Sequence, residues 1–194
     1  MEPAQVLQTI ELLKAAKPIF ESTHSSLTPW VGAVGAIGGA LTALVPTYFM
    51  AQKAKREKTK STIFQIYAEI KVTLEVAEHR GYEDSVRAIV SSYKDKAGSA
   101  EFPGFTVAVP DDRFVIYKEN LSNLGLLPPK LQVKIVRFYQ TAEAIIQDIK
   151  PGGVLNAPSG DLRQYEELLG FFLRAKAIGS DILKSIESTH PDVV

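Results

Sequence analysis

The chain has no cysteine. Disulfides, zinc–thiolate sites and a cysteine nucleophile are therefore excluded. No charge of either sign predominates, because 22 Lys and Arg meet 22 Asp and Glu. With no net field to attract phosphates, no nucleic-acid partner is expected. Histidine is scarce, and His24 and His190 are isolated. No serine sits in the G-x-S-x-G context of a nucleophile elbow. The glycines at Gly32, Gly35, Gly38 and Gly39 lack both the Gly-Lys-Ser/Thr ending of a phosphate loop and the spacing of a dinucleotide turn.

One long uncharged run is present, Trp30 to Ala51. At about 1.5 Å per residue, a helix of ~20 apolar residues crosses a ~30 Å hydrocarbon core. Trp30 lies at one edge, with Tyr48 and Phe49 near the other, where interfacial aromatics are favoured. Thr28 and Pro29 suit an N-cap and a first turn, and Pro46 falls inside the run. Lys53, Lys55, Arg56, Lys58 and Lys60 follow at once, opposed only by Glu57, whereas Lys14 and Lys17 before the run face Glu2, Glu11 and Glu21. Basic residues are retained on the cytoplasmic side, so the expected topology is N-terminus outside and the chain from Gln52 onward inside. The basic cluster has lipid head groups as its natural contact. The opposing reading is a buried helix or glycine-rich loop of a soluble protein, since small residues dilute the run.

Those small residues carry a second expectation. Gly35 and Gly39 form G-x-x-x-G, continued by Ala43, and Gly32, Ala36 and Ala40 form a neighbouring row. Such rows let helix backbones approach closely in lipid, where packing drives association, so a homo-oligomer is one expected assembly.

The expected fold is all-α, an N-terminal transmembrane helix followed by an antiparallel bundle of four or five helices. Residues 1–28 read as an external amphipathic segment, 29–51 as the span, 52–60 as a basic collar, 61–187 as a cytoplasmic bundle and 188–194 as a flexible tail. Ile63, Ile66, Tyr67, Ile70, Leu74 and Ala77 recur at three and four, and no breaker separates this helix from the span, so one rod from Pro29 to Arg80 is predicted, ended by Gly81. Tyr82 to Lys96 is a second helix. The segment 97–110 is a connection, extended over Phe105 to Val109. Asp111 or Asp112 is expected to cap a third helix reaching Leu124, with Gly125 as its stop. A fourth helix runs from Pro129 to Lys150 with Leu131, Ile135, Phe138, Ala142, Ile145 and Ile149 inward. A fifth, capped by Ser159 or Asp161, reaches Ile186.

Glu75 and His79 lie four apart on one helix, and Glu78 lies between them. Di-iron bundles use Glu-x-x-His twice with two further glutamates. The spacing here differs and there is no second copy, so a solvated helix end is the better reading. Asp111 and Asp112 are adjacent and do not form the spaced carboxylate pair of a glycosidase. No catalytic residue, cofactor or metal is expected, and the chain reads as a non-enzyme.

Ile116-Tyr117-Lys118-Glu119-Asn120, Leu124-Gly125-Leu126-Leu127-Pro128 and Lys134-Ile135-Val136-Arg137-Phe138-Tyr139 form a pattern with Tyr67-Ala68-Glu69-Ile70 and Asp148-Ile149-Lys150-Pro151-Gly152-Gly153. Together they resemble a group of small bacterial, often prophage-associated, membrane proteins of unknown function, with one N-terminal span and a helical cytoplasmic domain. The resemblance covers about Thr62 to Ile186 and implies a bacterial inner-membrane setting without any known reaction. The leading expectation is a single-pass protein whose cytoplasmic bundle binds a protein partner or self-associates, in phage exclusion or host defence by the resemblance. A second is a membrane-perturbing effector that oligomerises through Gly35 and Gly39. A third is a soluble helical enzyme or ligand-binding protein, which requires a pocket with converging polar groups.

Overall fold

The computed structural model describes residues 14, 28–94, 103–156 and 161–191, with the backbone alone over 28–46. The predicted amphipathic segment of residues 1–28 lies outside the described residues except at Lys14 and the helix start. The chain divides into two units, Met1–Ala54 and Lys55–Val194.

Helix α1 runs Thr28–His79 without interruption, so the predicted rod forms and Pro46 does not end it. In the first unit its described side chains are exposed: Tyr48 by 60%, Phe49 by 67% and Met50 by 72%. The two rings meet edge to face at 6.1 Å, and Gln52 Nε2 donates to Tyr48 Oη at 2.9 Å.

The second unit is a helical bundle, with no strand among the described residues. Burial along α1 begins at Thr62, and Ile63, Ile66, Tyr67 and Ile70 form its inward stripe. Gly81, at φ 63°, ends the helix. Its N–H donates to Glu78 O at 2.9 Å while Arg80 N–H donates to Val76 O at 3.1 Å, satisfying terminal carbonyls in a conformation that a Cβ disfavours. Helix α2, Tyr82–Lys94, follows directly and carries Glu83 and Asp84 in its first turn, where acids complement the dipole. It buries Val86 and Val90.

The connection over 103–110 has no regular secondary structure. Half-buried Phe105, Val107 and Val109 alternate with exposed neighbours. Phe105 N–H donates to Leu155 O and Val107 N–H to Ile149 O, both at 2.8 Å.

The third helix departs from its predicted bounds. Asp111 and Asp112 are exposed turn residues, not caps, and Phe114 adopts a left-handed φ of 56° that no helix can run through. Helix α3 is only Val115–Glu119, followed by a 3₁₀ helix over Leu121–Leu126 that contains Gly125 instead of stopping at it.

Helix α4, Pro129–Ile149, starts with proline in its first turn, where the missing N–H costs nothing. All of its predicted inward residues from Ile135 to Ile149 are buried, with Tyr139 added to them. It ends before Gly153, where a Cβ would lie 2.5 Å from the carbonyl oxygens of Gln147 and Asp148. A 3₁₀ turn, Val154–Asn156, comes next. Helix α5, Leu162–Thr189, is capped by Asp161 in a reciprocal box with Gln164 and runs three residues beyond the predicted Ile186.

The core of this unit has two clusters. One joins Ile63, Ile66, Ile70, Ile135, Phe138, Ile182 and Ile186. The other joins Val86, Val90, Ile145, Ile149, Tyr165 and Leu168. The start of α4 thus meets the end of α5, and the end of α4 meets the start of α5, so the pair is antiparallel. Each fully buried Ile or Phe contributes about 1.5–3 kcal/mol of apolar burial.

Candidate functional site

Between the two clusters the buried positions are small. On α4, Ala142 separates Phe138 from Ile145, and on α5, Ala175 and Gly179 separate Leu168 from Ile182. Gly179 allows a close approach, since a Cβ there would lie 2.9 Å from both Leu74 Cδ1 and Phe138 Cε2. Beside it the missing side-chain volume leaves a half-open cleft of about 740 Å³, walled by α1, α4, α5 and the 108–114 segment. Leu74, Phe138, Ala142, Ile145, Ile146 and Phe172 are among its apolar lining, and charged residues from Glu69 to Glu83 stand along the α1 side. Its volume lies within the usual ~300–1,000 Å³ of small-molecule pockets.

Beside the cleft, Glu69 organises a polar centre. The first N–H groups of a helix need acceptors, and α3 has no side-chain cap of its own. Glu69 reaches across from α1 to supply one. Ile116 N–H donates to Oε1 at 3.0 Å and Tyr117 N–H to Oε2 at 2.9 Å. Tyr139 Oη, on α4, donates to the same Oε2 at 2.6 Å. The Tyr139 ring stacks on Tyr117 at 3.9 Å with a 12° interplanar angle, and takes Phe114 and Phe138 edge-on. Burial first, and then the Glu69 carboxylate, push the Tyr139 hydroxyl far above its ordinary value, so it acts as a fixed donor.

Asn120 closes the other end of α3. This buried side chain donates from Nδ2 to Gln65 Oε1 and Ile116 O, each at 2.9 Å. Its Oδ1 accepts from Thr62 Oγ1 at 3.4 Å and Asn123 Nδ2 at 3.2 Å. Arg113 fixes the turn before α3 through Glu143, with Nη2–Oε1 at 2.5 Å and Nε–Oε2 at 3.2 Å. That hydrogen-bonded guanidinium holds the Glu143 carboxyl below its ordinary value of 4.5. Two of the segments that carry the sequence resemblance, Tyr67–Ile70 and Ile116–Asn120, are thus in direct contact.

The predicted site residues fare differently. Lys53, Lys55, Arg56, Lys58 and Lys60 are all exposed on α1. Gly32, Gly35, Ala36, Gly39, Ala40 and Ala43 have helical backbone, and their side chains lie outside the described residues. Among the described residues no helix is long and apolar enough to cross a membrane; most of the Trp30 to Ala51 run falls where only the backbone is described. Glu75, Glu78 and His79 are exposed, and no group of three metal-ligating side chains occurs among the described residues. No buried side-chain nitrogen or oxygen among them lacks a partner, so the interior polar groups are committed to structure, and Lys71, Glu75 and Arg80 are exposed polar residues of the cleft lining. Sequence reasoning missed the cleft. Its one local signal is the run of small residues, Ala142, Ala175 and Gly179, at positions of the inward faces where bulky residues are the rule.

Comparison of the chain with known family models, with curated proteins and with solved structures gave no match.

Proposed function

We propose that the protein is a single-pass inner-membrane protein, N-terminus outside, whose cytoplasmic helical bundle binds a protein partner or self-associates. One observation carries this reading. On α1 the residues from Thr47 to Ser61 are exposed except for half-buried Thr59, and burial against the bundle starts only at Thr62. The exposed stretch opens with Tyr48, Phe49 and Met50 and continues through five cations. Three consecutive large apolar side chains in water are costly, whereas an interface buries their apolar bodies and leaves the following lysines in the head-group layer. The uncharged run from Trp30 supplies the length to cross. The Gly35 and Gly39 row supports self-association within that span. A role in phage exclusion or host defence rests on the resemblance of the bundle sequence alone.

Carbonate extraction of bacterial membranes tests the reading. The intact chain is expected in the pellet and is released only by detergent. Its recovery in the soluble fraction overturns the proposal. Chemical cross-linking of the same membranes then separates a homo-oligomer ladder from a heteromeric adduct.

A further inference from the structure

We infer that the cleft is a lipid site, taking the acyl chain of a single-chain zwitterionic phospholipid with the head group held at its α1 rim. Three observations converge on that chemistry. The walls are apolar, and no buried polar side chain among the described residues is left without a partner to recognise a polar ligand inside. A volume of about 740 Å³ filled by water would give that water few polar neighbours, whereas a hydrocarbon chain loses nothing there.

The rim then selects the head group. Four cations and four carboxylates line the cleft, so neither sign prevails. Most are already engaged. Arg113 is held by Glu143, and Glu69 is spent on α3 and Tyr139. Lys176 is shared by Glu78 at 3.4 Å and Glu83 at 3.7 Å. What remains is Lys71, whose ammonium lies 5.6 Å from the Tyr67 ring centroid, Arg80, which donates to Tyr82 Oη at 2.8 Å, and Glu75. Neither cation has a carboxylate partner among the described residues, and Glu75 has no hydrogen bond or ion pair there. Lys71 and Glu75 sit on the last turns of α1, and Arg80 follows its end directly. A phosphate facing Lys71 or Arg80 and an ammonium facing Glu75 match that set. A fatty-acid carboxylate could answer a cation but would bring no ammonium to face Glu75.

The site lies wholly within the bundle unit, so it does not depend on the membrane span. The full chain, kept in solution by an amphipathic polymer whether or not it spans a membrane, is irradiated with lysophosphatidylethanolamine carrying a photoreactive group on its chain. Adducts are expected on peptides holding Ala142, Ile146 and Phe172. Ala142→Phe fills the cleft and should lower adduct yield at least about fivefold, with helical circular dichroism unchanged. Should that variant fail to fold, Glu75→Gln on the exposed rim carries the test. It should weaken the zwitterionic probe about threefold without weakening the anionic lysophosphatidylglycerol. Adducts confined to residues 28–60, equal competition by a free fatty acid, or displacement of the probe only by an amphipathic helical peptide each overturn the assignment.

Discussion

Removing the Glu69 carboxylate should unlock α3 from α1 and α4 together. The side chain accepts two backbone N–H groups and the Tyr139 hydroxyl. Glu69→Ala leaves all three donors without their acceptor. Losing a helix cap costs about 1 kcal/mol in typical cases, and a hydrogen bond to a charged group contributes about 1.5–3 kcal/mol. Water can enter beside the half-exposed Glu69 and recover part of the loss. The expected destabilisation is therefore about 3 kcal/mol, below the simple sum. Glu69→Gln keeps the size and one acceptor oxygen but puts an amide NH₂ against a donor, and should cost about half as much. Tyr139→Phe removes only one of the three bonds and should cost about 1.5 kcal/mol, the low end for a bond to a charged group. Denaturant unfolding of the purified chain, followed by tyrosine near-ultraviolet circular dichroism, reads all three variants. The Glu69→Ala and Tyr139→Phe effects should be non-additive in the double variant, because both remove the same bond. A Glu69→Ala loss under about 0.5 kcal/mol, the range of an ordinary surface change, refutes the cap.

Other expectations follow from the same geometry. Arg113→Ala should cost about 1 kcal/mol at neutral pH, a modest figure because Glu143 is partly exposed. Since Arg113 depresses the folded Glu143 value below 4.5, this stability is present above that value and is lost as pH falls through the folded one. The gap between wild type and variant should therefore close on acidification and not on raising the pH, as melting curves across the acid range will show. Gly153→Ala drives a Cβ toward two carbonyl oxygens at 2.5 Å and should cost more than about 2 kcal/mol, measured by the same unfolding assay. Gly35→Leu or Gly39→Leu should weaken cross-linking of the chain to itself in membranes. If the span also forms a leak, dye uptake on induction should fall with it.

The inward face of α4 was legible because a helical period projects one stripe onto one core. Ile135, Phe138, Ala142, Ile145 and Ile149 are all buried. The ends of α1 and α4 were legible for a local reason, Gly81 and the Pro151-Gly152-Gly153 turn. The start of α3 was not. Asp111 and Asp112 looked like caps to local rules, but the acceptor comes from Glu69, 47 residues before Ile116, and Phe114 bends the chain between them. The cleft is non-local in the same way. It arises where Ala142 of α4 and Ala175 of α5 leave the same space unfilled, and neither residue reveals the other in the sequence. The open positions Lys71, Glu75 and Arg80 are visible only once their neighbours have been assigned partners.

The absence of cysteine makes the most direct test of the central claim free of background. Single replacements Ala4→Cys and Ser188→Cys place a thiol at either end, and a membrane-impermeant maleimide is applied to intact spheroplasts and to lysed ones. A tethered bundle with its N-terminus outside predicts labelling of Ala4→Cys in intact spheroplasts and of Ser188→Cys only after lysis. Protection of both thiols until lysis, with the chain in the soluble fraction, contradicts the span.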